Sequence, residues 1–387
     1  MKIIADQNIP FVKECFDSLG EVSLYPGRQI TPQVVKNADV LLVRSITPVN
    51  EALLAGSRVK FAATATIGMD HIDREWLLQS GIGFASAPGS NANSVAEYVV
   101  AAMLALGKKY RFTLEGRRIG IIGAGNVGSK VEAKCRALGM KTVLNDPPLA
   151  RQSGDGKYRL LEEALECDFL TLHTPLTREG MDPTFHLADM KFFAAIKKGT
   201  VFINTARGPV MDTMALKGAM AAGRLGGVVL DVWENEPNVD ADLLLKVDLS
   251  TPHIAGYSFD GKINGLLMIY RAACRHFGIK PTHTEQDFLP PPTAAEIGIP
   301  NEQIRTQPTE RIIHDTIQQV YVINRDDFNM REMLIVPQTD RGAFFDRLRR
   351  EYPIRREFQN TAVKIPAEAS AAAQKLKGIG FAVNLVR

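Results

Sequence analysis

Residues 118–146, RIGIIGAGNVGSKVEAKCRALGMKTVLND, decide the fold. The stretch begins with an apolar, β-branched run at 118–122, which is typical of a buried parallel strand. A glycine-rich turn at 123–128 follows directly and leads into a helical run at 129–138. A second apolar run then ends at Asp146. The order strand, turn, helix, strand predicts a parallel α/β unit.

The spacing of the glycines indicates a dinucleotide site. Gly123 permits the tight turn, Gly125 lets the backbone approach a pyrophosphate, and Gly128 lets the helix pack closely on the strand. The helix N-terminus then presents free N–H groups to the phosphates. Asp146 is placed to accept hydrogen bonds from an adenosine ribose 2′-hydroxyl, and its charge would repel a 2′-phosphate. The sequence therefore predicts NAD rather than NADP as cofactor.

The composition excludes several classes of protein. A chain of 387 residues with 45% hydrophobic residues predicts two or three globular domains. The net charge of +3 argues against a nucleic-acid or membrane-surface partner, and no apolar run approaches the roughly 20 residues of a membrane span. We expect a cytoplasmic protein without a metal site, because metal-like spacing is absent from the four cysteines: Cys15, Cys135, Cys167 and Cys274.

The first ninety residues also alternate strands and helices, which predicts a second parallel sheet. Expected strands are 2–5, 40–43, 60–63 and 82–85, and expected helices are 12–19, 32–36 and 73–79. Ligands bind beyond the carboxyl ends of such strands, where Arg44, Ser45 and Thr66 occur. Ser94 and Glu97 have the spacing of a capping box, so the next helix is predicted to start at Ser94.

Three candidate reactive groups follow later apolar strands: Arg207, Glu236 and His253. Each alone is compatible with an ordinary ion pair, a surface carboxylate or a structural histidine. Together, after a dinucleotide turn, they suit oxidation of an alcohol next to a carboxylate. Histidine takes the hydroxyl proton, arginine clamps the carboxylate, and a glutamate orients the imidazole and stabilises its protonated form. The nicotinamide accepts the hydride.

Four ordered motifs resemble the D-isomer-specific 2-hydroxyacid dehydrogenases: the turn at 123–128, NTARG at 204–208, LDVWENEP at 230–237 and TPHIAG at 251–256. The resemblance implies two Rossmann-like, doubly wound parallel-sheet α/β domains, with a discontinuous substrate domain and the active site between them. It implies that Arg207 binds substrate, that Glu236 pairs with the base, and that His253 is the acid/base. It also implies an NAD site lined by Gly123, Gly125, Asn126, Val127, Gly128, Asp146, Thr174, Ala206, Asp231 and Gly256.

Further segments resemble one branch of this family, which oxidises a phosphorylated four-carbon hydroxyacid on the route to pyridoxal phosphate. They are IIADQNIP at 3–10, VRSIT at 43–47, ATIGMDHID at 65–73, IAGYS at 254–258 and the tail after residue 285. The resemblance implies that Ser45, Thr66 and Tyr257 contact the substrate. It implies a substrate domain at 1–93 and 257–286, an NAD-binding domain at 94–256, and a small α+β homodimerisation domain at 287–387.

The tail carries a basic cluster, Arg347, Arg349, Arg350, Arg355 and Arg356. Such a cluster indicates a solvated face. A sharper hypothesis is that one of its arginines reaches the active site of a partner subunit and holds the substrate phosphate.

Two other functions stay open at this stage. The first is a different D-2-hydroxyacid dehydrogenase, such as a 3-phosphoglycerate dehydrogenase with a regulatory tail. The second is a non-enzymatic NAD-sensing corepressor, since one fold hosts many functions. The intact set of Arg207, Glu236 and His253 weighs against the corepressor.

Overall fold

The computed structural model describes residues 1–386; Arg387, the last residue of the predicted C-terminal domain, lies outside them. In chain order the strands are β1 Lys2–Asp6, β2 Glu21–Tyr25, β3 Val40–Val43, β4 Phe61–Thr64, β5 Gly83–Ala85, β6 Arg118–Ile122, β7 Lys141–Asn145, β8 Phe169–Leu172, β9 Thr200–Asn204, β10 Leu225–Leu230, β11 Leu249–Ser250, β12 Glu296–Gly298, β13 Ala362–Pro366 and β14 Ala382–Val386.

The α-helices, numbered in the same way, are α1 Val12–Phe16, α2 Pro32–Val35, α3 Glu51–Leu54, α4 Arg74–Gln79, α5 Ala92–Tyr110, α6 Asn126–Ala137, α7 Pro147–Ser153, α8 Leu161–Leu165, α9 Met190–Ala195, α10 Thr213–Ala221, α11 Ala241–Lys246, α12 Phe259–Phe277, α13 Asn301–Thr306, α14 Thr309–Gln318, α15 Ile323–Arg331, α16 Arg341–Arg350 and α17 Ser370–Ile379. Within residues 1–386, every helix is too short or too polar to cross a lipid bilayer.

The first compact unit comprises residues 1–91 and 258–290. Its sheet is parallel throughout, in the order β2-β1-β3-β4-β5. The central strands β3 and β4 are buried along their whole length, as continuous apolar runs in a parallel sheet should be. Helix α12 brings the chain back to this unit and buries Tyr270 and Leu266 in its core. The sequence did not predict β2, an edge strand in which only Val22 is buried.

The second compact unit comprises residues 92–257 and continues from residue 291. Its larger sheet is parallel throughout, in the order β11-β10-β9-β8-β6-β7. The strand order reverses at β6, which lies between β7 on one side and β8 on the other, and ligands of open α/β sheets bind at such a point. A small parallel sheet, β12-β13-β14, belongs to the C-terminal segment.

The predicted fold class is confirmed: two Rossmann-like parallel sheets with helices, and a small C-terminal sheet. The boundaries of the three functional domains stay predictions. The polypeptide contacts divide the chain into two units and place the C-terminal segment in the second.

The capping box predicted at Ser94 and Glu97 is wrong, because α5 begins at Ala92 and both residues lie inside it. Their spacing places them on one face of the helix, and that face meets the C-terminal segment. The Ser94 hydroxyl donates to the Glu357 carboxylate at 2.7 Å, and the Glu97 carboxylate accepts from the Phe358 backbone N–H at 2.9 Å. The pattern therefore marks a buried polar contact rather than a helix start.

Glu97 makes the stability of this chain dependent on pH. Burial and the neighbouring Glu357 carboxylate raise its pKa to about 8, against the opposing charges of Lys134 and Arg355. The unfolded chain gives up this proton near pH 4.5, whereas the folded chain keeps it until about pH 8. The folded state therefore binds the extra proton, and stability is lost as the pH rises through this window, by at most about 1.4 kcal/mol per pH unit.

The substitution Glu97→Gln tests this dependence, because glutamine keeps an oxygen acceptor for the Phe358 N–H and removes the titration. Between pH 6 and pH 8 we expect the free energy of unfolding to fall by about 1–2 kcal/mol less in this variant than in wild type. Urea unfolding at both pH values measures the difference. Glu368→Gln, at an exposed position, is the control. Equal pH dependence in Glu97→Gln and wild type would contradict the prediction.

Candidate active site

The predicted site residues of the second unit follow six neighbouring strands. Because the strands are parallel, their carboxyl ends share one edge of the sheet. In spatial order along that edge come His253 after β11, Asp231 and Glu236 after β10, Ala206 and Arg207 after β9, Thr174 after β8, the glycine turn after β6, and Asp146 after β7. The sheet thus brings together side chains that are far apart in the sequence.

The glycine turn has the geometry that its spacing predicts. Gly123 has a φ of +88°, and a Cβ on Gly128 would overlap the carbonyl oxygen of Gly123, so neither position tolerates a side chain. A Cβ on Gly125 would meet no heavy atom within 4 Å. Helix α6 starts at Asn126, inside the turn and earlier than predicted, so its free N–H groups face this open space. The open space at Gly125 and the free N–H donors of α6 together suit a bound pyrophosphate.

Thr174 offers a further polar group at this edge. Its hydroxyl oxygen is shielded from solvent and has no hydrogen-bond partner within residues 1–386. A buried hydroxyl without a partner is unfavourable unless a ligand or water satisfies it. The neighbouring His173 lies against Gly123 and bonds to the hydroxyls of Thr171 and Thr205. Burial lowers the pKa of His173 to about 3, so it is a neutral wall of the site at physiological pH.

Asp146 connects the second strand of the motif to the glycine turn. One carboxylate oxygen accepts from the Ala124 N–H at 2.8 Å, and the other caps α7 by accepting from the Leu149 N–H at 3.0 Å. Each oxygen retains a lone pair for a further hydrogen bond. The acceptor role toward the ribose stays a prediction.

Asp146→Asn tests the charge of this residue. Asparagine keeps the volume of the side chain and one oxygen to cap α7, loses the acceptor for the Ala124 N–H, and removes the repulsion of a 2′-phosphate. We expect the ratio of kcat/KM with NAD to that with NADP to fall on the order of 10-fold. Steady-state kinetics with both cofactors measure the ratio, and Asp155→Asn at an exposed position is the control. A wild-type preference for NADP would refute the interpretation of Asp146.

Arg207 is held in a short turn after β9. The Asn204 side chain accepts from the Ala206 N–H at 3.0 Å and donates to the Arg207 carbonyl at 3.1 Å, which fixes the turn. A Cβ on Gly208 would overlap the Trp233 carbonyl, so glycine is required where this turn crosses the loop after β10. The close crossing brings the Arg207 turn next to the loop that carries Glu236.

Glu236 and His253 form a hydrogen-bonded pair. The distance from His253 Nδ1 to Glu236 Oε2 is 2.7 Å, and the other carboxylate oxygen accepts from the Trp233 N–H at 2.8 Å. Burial acts to raise the pKa of Glu236, but the His253 charge and these hydrogen bonds outweigh it and hold the pKa below its usual value. An ionised Glu236 can only accept, so Nδ1 carries a proton, and in the neutral imidazole Nε2 has a free lone pair. The His253 side chain is 31% exposed, so a substrate can reach it.

Asp231 fixes the unusual backbone at His253, whose φ is +58°. This left-handed conformation costs energy in a residue with a side chain and persists only where neighbours enforce it. The His253 N–H donates to the Asp231 carbonyl at 2.7 Å, and the buried Asp231 carboxylate accepts from the N–H groups of Ile254 and Ala255 at 2.7 and 3.0 Å. Asp231 therefore sets the position of the imidazole, in addition to its predicted place beside NAD.

Ser45 and Thr66 belong to the first unit. They follow the neighbouring strands β3 and β4, so they share one carboxyl edge of that sheet. Ser45 is exposed, and the Thr66 hydroxyl lies 2.7 Å from the Thr64 hydroxyl. Their contact with substrate stays a prediction.

The solvated face predicted for the C-terminal arginines is wrong for Arg355, which is 5% exposed and donates to the Ala255 carbonyl at 2.7 Å. Arg349 is half-buried, with its guanidinium 5.7 Å from the ring centre of Tyr257 in the same chain. The spacing in the sequence could have indicated that Arg349 is half-buried, because Arg349 lies four residues after Phe345, on the buried face of α16.

Comparisons with known proteins agree with this geometry. Residues 94–255 match the family model described as "D-isomer specific 2-hydroxyacid dehydrogenase, NAD binding domain", and residues 288–380 match a domain of unknown function. The chain is 46% identical to erythronate-4-phosphate dehydrogenase of Cellvibrio japonicus, over 98% of this chain and 99% of the relative. The corresponding enzyme of Cronobacter sakazakii is 43% identical over 98% of both chains.

A solved structure shares the fold. The NAD⁺-bound 3-phosphoglycerate dehydrogenase of Entamoeba histolytica superposes with a TM-score of 0.62 at 26% identity, covering 74% of this chain and 99% of that one. The superposition spans almost all of that enzyme but leaves about a quarter of this chain without a counterpart in it.

Proposed function

Because the chain belongs to the D-isomer specific 2-hydroxyacid dehydrogenases, we propose that it oxidises 4-phospho-D-erythronate to 2-oxo-3-hydroxy-4-phosphobutanoate with NAD, a step of pyridoxal 5′-phosphate biosynthesis. The predicted family, its NAD cofactor and its dehydrogenase class are confirmed. The observation that supports the chemistry is the 2.7 Å pair of His253 and Glu236 beside the strand that carries Arg207.

Three side chains of the protein have separate roles in the oxidation of the substrate. Nε2 of His253 takes the proton of the C2 hydroxyl, and the ionised Glu236 stabilises the imidazolium that forms. The planar fork of Arg207 clamps the carboxylate at C1 and polarises the oxygen at C2 as the carbonyl develops. Bound NAD supplies the hydride acceptor. The glycine turn, Thr174 and Asp146 would hold the cofactor.

A substrate panel tests the proposal. The purified chain is assayed by nicotinamide absorbance with 4-phospho-D-erythronate, 3-phosphoglycerate and D-lactate, each with and without an added 2-oxoacid acceptor. We expect kcat/KM for 4-phospho-D-erythronate to exceed the others by about 100-fold or more, since buried polar groups of a matched site reject substrates that leave them unpaired. If 3-phosphoglycerate is the best substrate, the hydride chemistry stands and the proposed substrate is wrong.

We further propose that the chain acts as a cytoplasmic homodimer assembled through the C-terminal segment. All four cysteines are free, buried thiols in the described chain, which suits a reducing compartment. Sedimentation equilibrium of the full-length chain tests the dimer, and a monomer at micromolar concentration would refute it.

A further inference from the structure

Helix α16 of the C-terminal segment packs beside the loop that carries Glu236. At the start of the helix, a Cβ on Gly342 would lie 3.3 Å from the Asn238 side-chain oxygen and 3.4 Å from the Pro237 ring. Pro237 is the residue directly after Glu236. The start of the helix therefore lies against the residue that follows Glu236, although it is distant in the sequence.

Arg349, near the end of α16, lies beside two aromatic rings, one of which belongs to the predicted substrate contact Tyr257. Its guanidinium lies 5.8 Å from the Phe345 ring centre and 5.7 Å from the Tyr257 ring centre. Its Nε is shielded from solvent and has no hydrogen-bond partner within residues 1–386. Burial acts to lower the pKa of Arg349, but Tyr257 and Glu236 keep it above its usual value.

The neighbouring arginines of the same helix differ in their surroundings. Arg347 and Arg350 are exposed. Arg347 lies over the Phe344 ring, and Arg350 pairs with Glu351 at 3.0 Å in solvent. Exposed pairs of this kind contribute little to stability or binding. Arg349 therefore stands apart as a half-buried cation with an unused donor beside the candidate active site.

We propose that Arg349 binds the phosphate of the substrate within the same subunit, with Tyr257 beside it, and so determines specificity for a phosphorylated hydroxyacid. This inference rests on the proposed function. The substrate carries two anionic groups at opposite ends, and Arg207 is engaged by the carboxylate next to the reacting carbon. A second, bidentate cation is then needed for the phosphate, and a guanidinium suits that group.

Arg349→Ala, assayed with 4-phospho-D-erythronate and with unphosphorylated D-erythronate, distinguishes a phosphate-binding role of Arg349 from a role that acts through Glu236. We expect KM for the phosphorylated substrate to rise on the order of 30-fold with kcat nearly unchanged, because a charged hydrogen bond is lost in binding. With D-erythronate, kcat/KM should stay at the wild-type value. Arg350→Ala is the matched control and should behave as wild type with both. If kcat falls equally for both substrates, Arg349 acts through Glu236 and the inference is overturned.

Inorganic phosphate gives a readout that does not depend on the identity of the substrate. We expect phosphate to inhibit wild type and Arg350→Ala competitively and to inhibit Arg349→Ala at least 10-fold more weakly, whichever hydroxyacid is turned over. Equal inhibition of Arg349→Ala and wild type would overturn the role of Arg349 and leave the proposed substrate unaffected. A wild type that prefers another hydroxyacid but keeps the difference in phosphate inhibition would overturn only the proposed substrate.

Subunit mixing tests whether the arginine acts within its own chain. Inactive His253→Ala subunits with an intact Arg349 are refolded with Arg349→Ala subunits. An arginine acting across the dimer would restore the low KM in the mixture, whereas we expect the high KM of Arg349→Ala to persist. Restoration would refute action within one subunit.

Discussion

His253→Ala is expected to lower kcat by about 100- to 10,000-fold and to leave NAD affinity near that of wild type. The reason is the hydrogen-bond arrangement at this residue. Glu236 accepts a hydrogen bond from Nδ1–H, with 2.7 Å between Nδ1 and Oε2, so Nε2 of the neutral imidazole is the acceptor for the substrate proton. Without the imidazole, water must take that proton, and no oriented base remains. The glycine turn, which follows a different strand, is unaffected.

His186→Ala is a closely matched control. His186 also has a left-handed backbone, with a φ of +51°, and also pairs with a carboxylate, Glu234, at 2.6 Å. Its side chain is 31% exposed, like that of His253. However, it bonds through Nε2 and does not follow a strand of the sheet, so we expect less than a 3-fold change in kcat. Equal losses in the two variants, or an unchanged rate in His253→Ala, would remove His253 from the chemistry.

The cofactor half of the site was predictable because its constraints are local. The glycines of the turn are required by a positive φ at Gly123 and by backbone contact at Gly128, and both requirements appear directly as residue types. The start of α6 was misplaced because a helix that begins inside a glycine turn has no capping side chain to mark it. The fold class followed from the same alternation of apolar runs and helical segments.

The catalytic set was predictable in kind but not in arrangement. Arg207, Glu236 and His253 each come after an apolar strand, so the parallel sheet had to place them at one edge. The sequence did not reveal that Asp231 enforces the backbone of His253, because that contact depends on three-dimensional geometry. Nor did it reveal that Arg349 lies beside the Tyr257 ring within one chain, since contacts between distant segments leave no local pattern.

The missed elements share a physical cause: their buried faces are small or polar. Strand β12 buries only Ile297. Helix α15 buries Ile323, Asp326 and Met330, and the acid in the middle interrupts the apolar periodicity. Asp326 is buried because the hydroxyls of Tyr321 and Tyr352 donate to its carboxylate at 3.1 and 2.8 Å. A pattern search for apolar faces cannot identify a helix whose buried face includes an acid satisfied from other segments.

Arg207→Ala is expected to lower kcat/KM on the order of 1,000-fold, through a lower kcat and a higher KM. The guanidinium binds the carboxylate in the ground state and stabilises the charge that develops at the C2 oxygen in the transition state. The turn itself should survive, because the Asn204 side chain bonds to the backbone and not to the Arg207 side chain. Unchanged NAD affinity and an unchanged melting temperature would confirm that the fold is intact.

Arg207→Lys distinguishes charge from geometry at this position. Lysine keeps the positive charge but lacks the planar fork that matches a carboxylate, so it should recover only part of the loss and remain about 10- to 100-fold below wild type. Arg178→Lys, at an exposed position, should have no effect. A fully active Arg207→Lys would mean that a point charge suffices and that the carboxylate is oriented elsewhere. Inactivity equal to that of Arg207→Ala would mean that only the fork matters, because the charge alone then contributes nothing to the transition state.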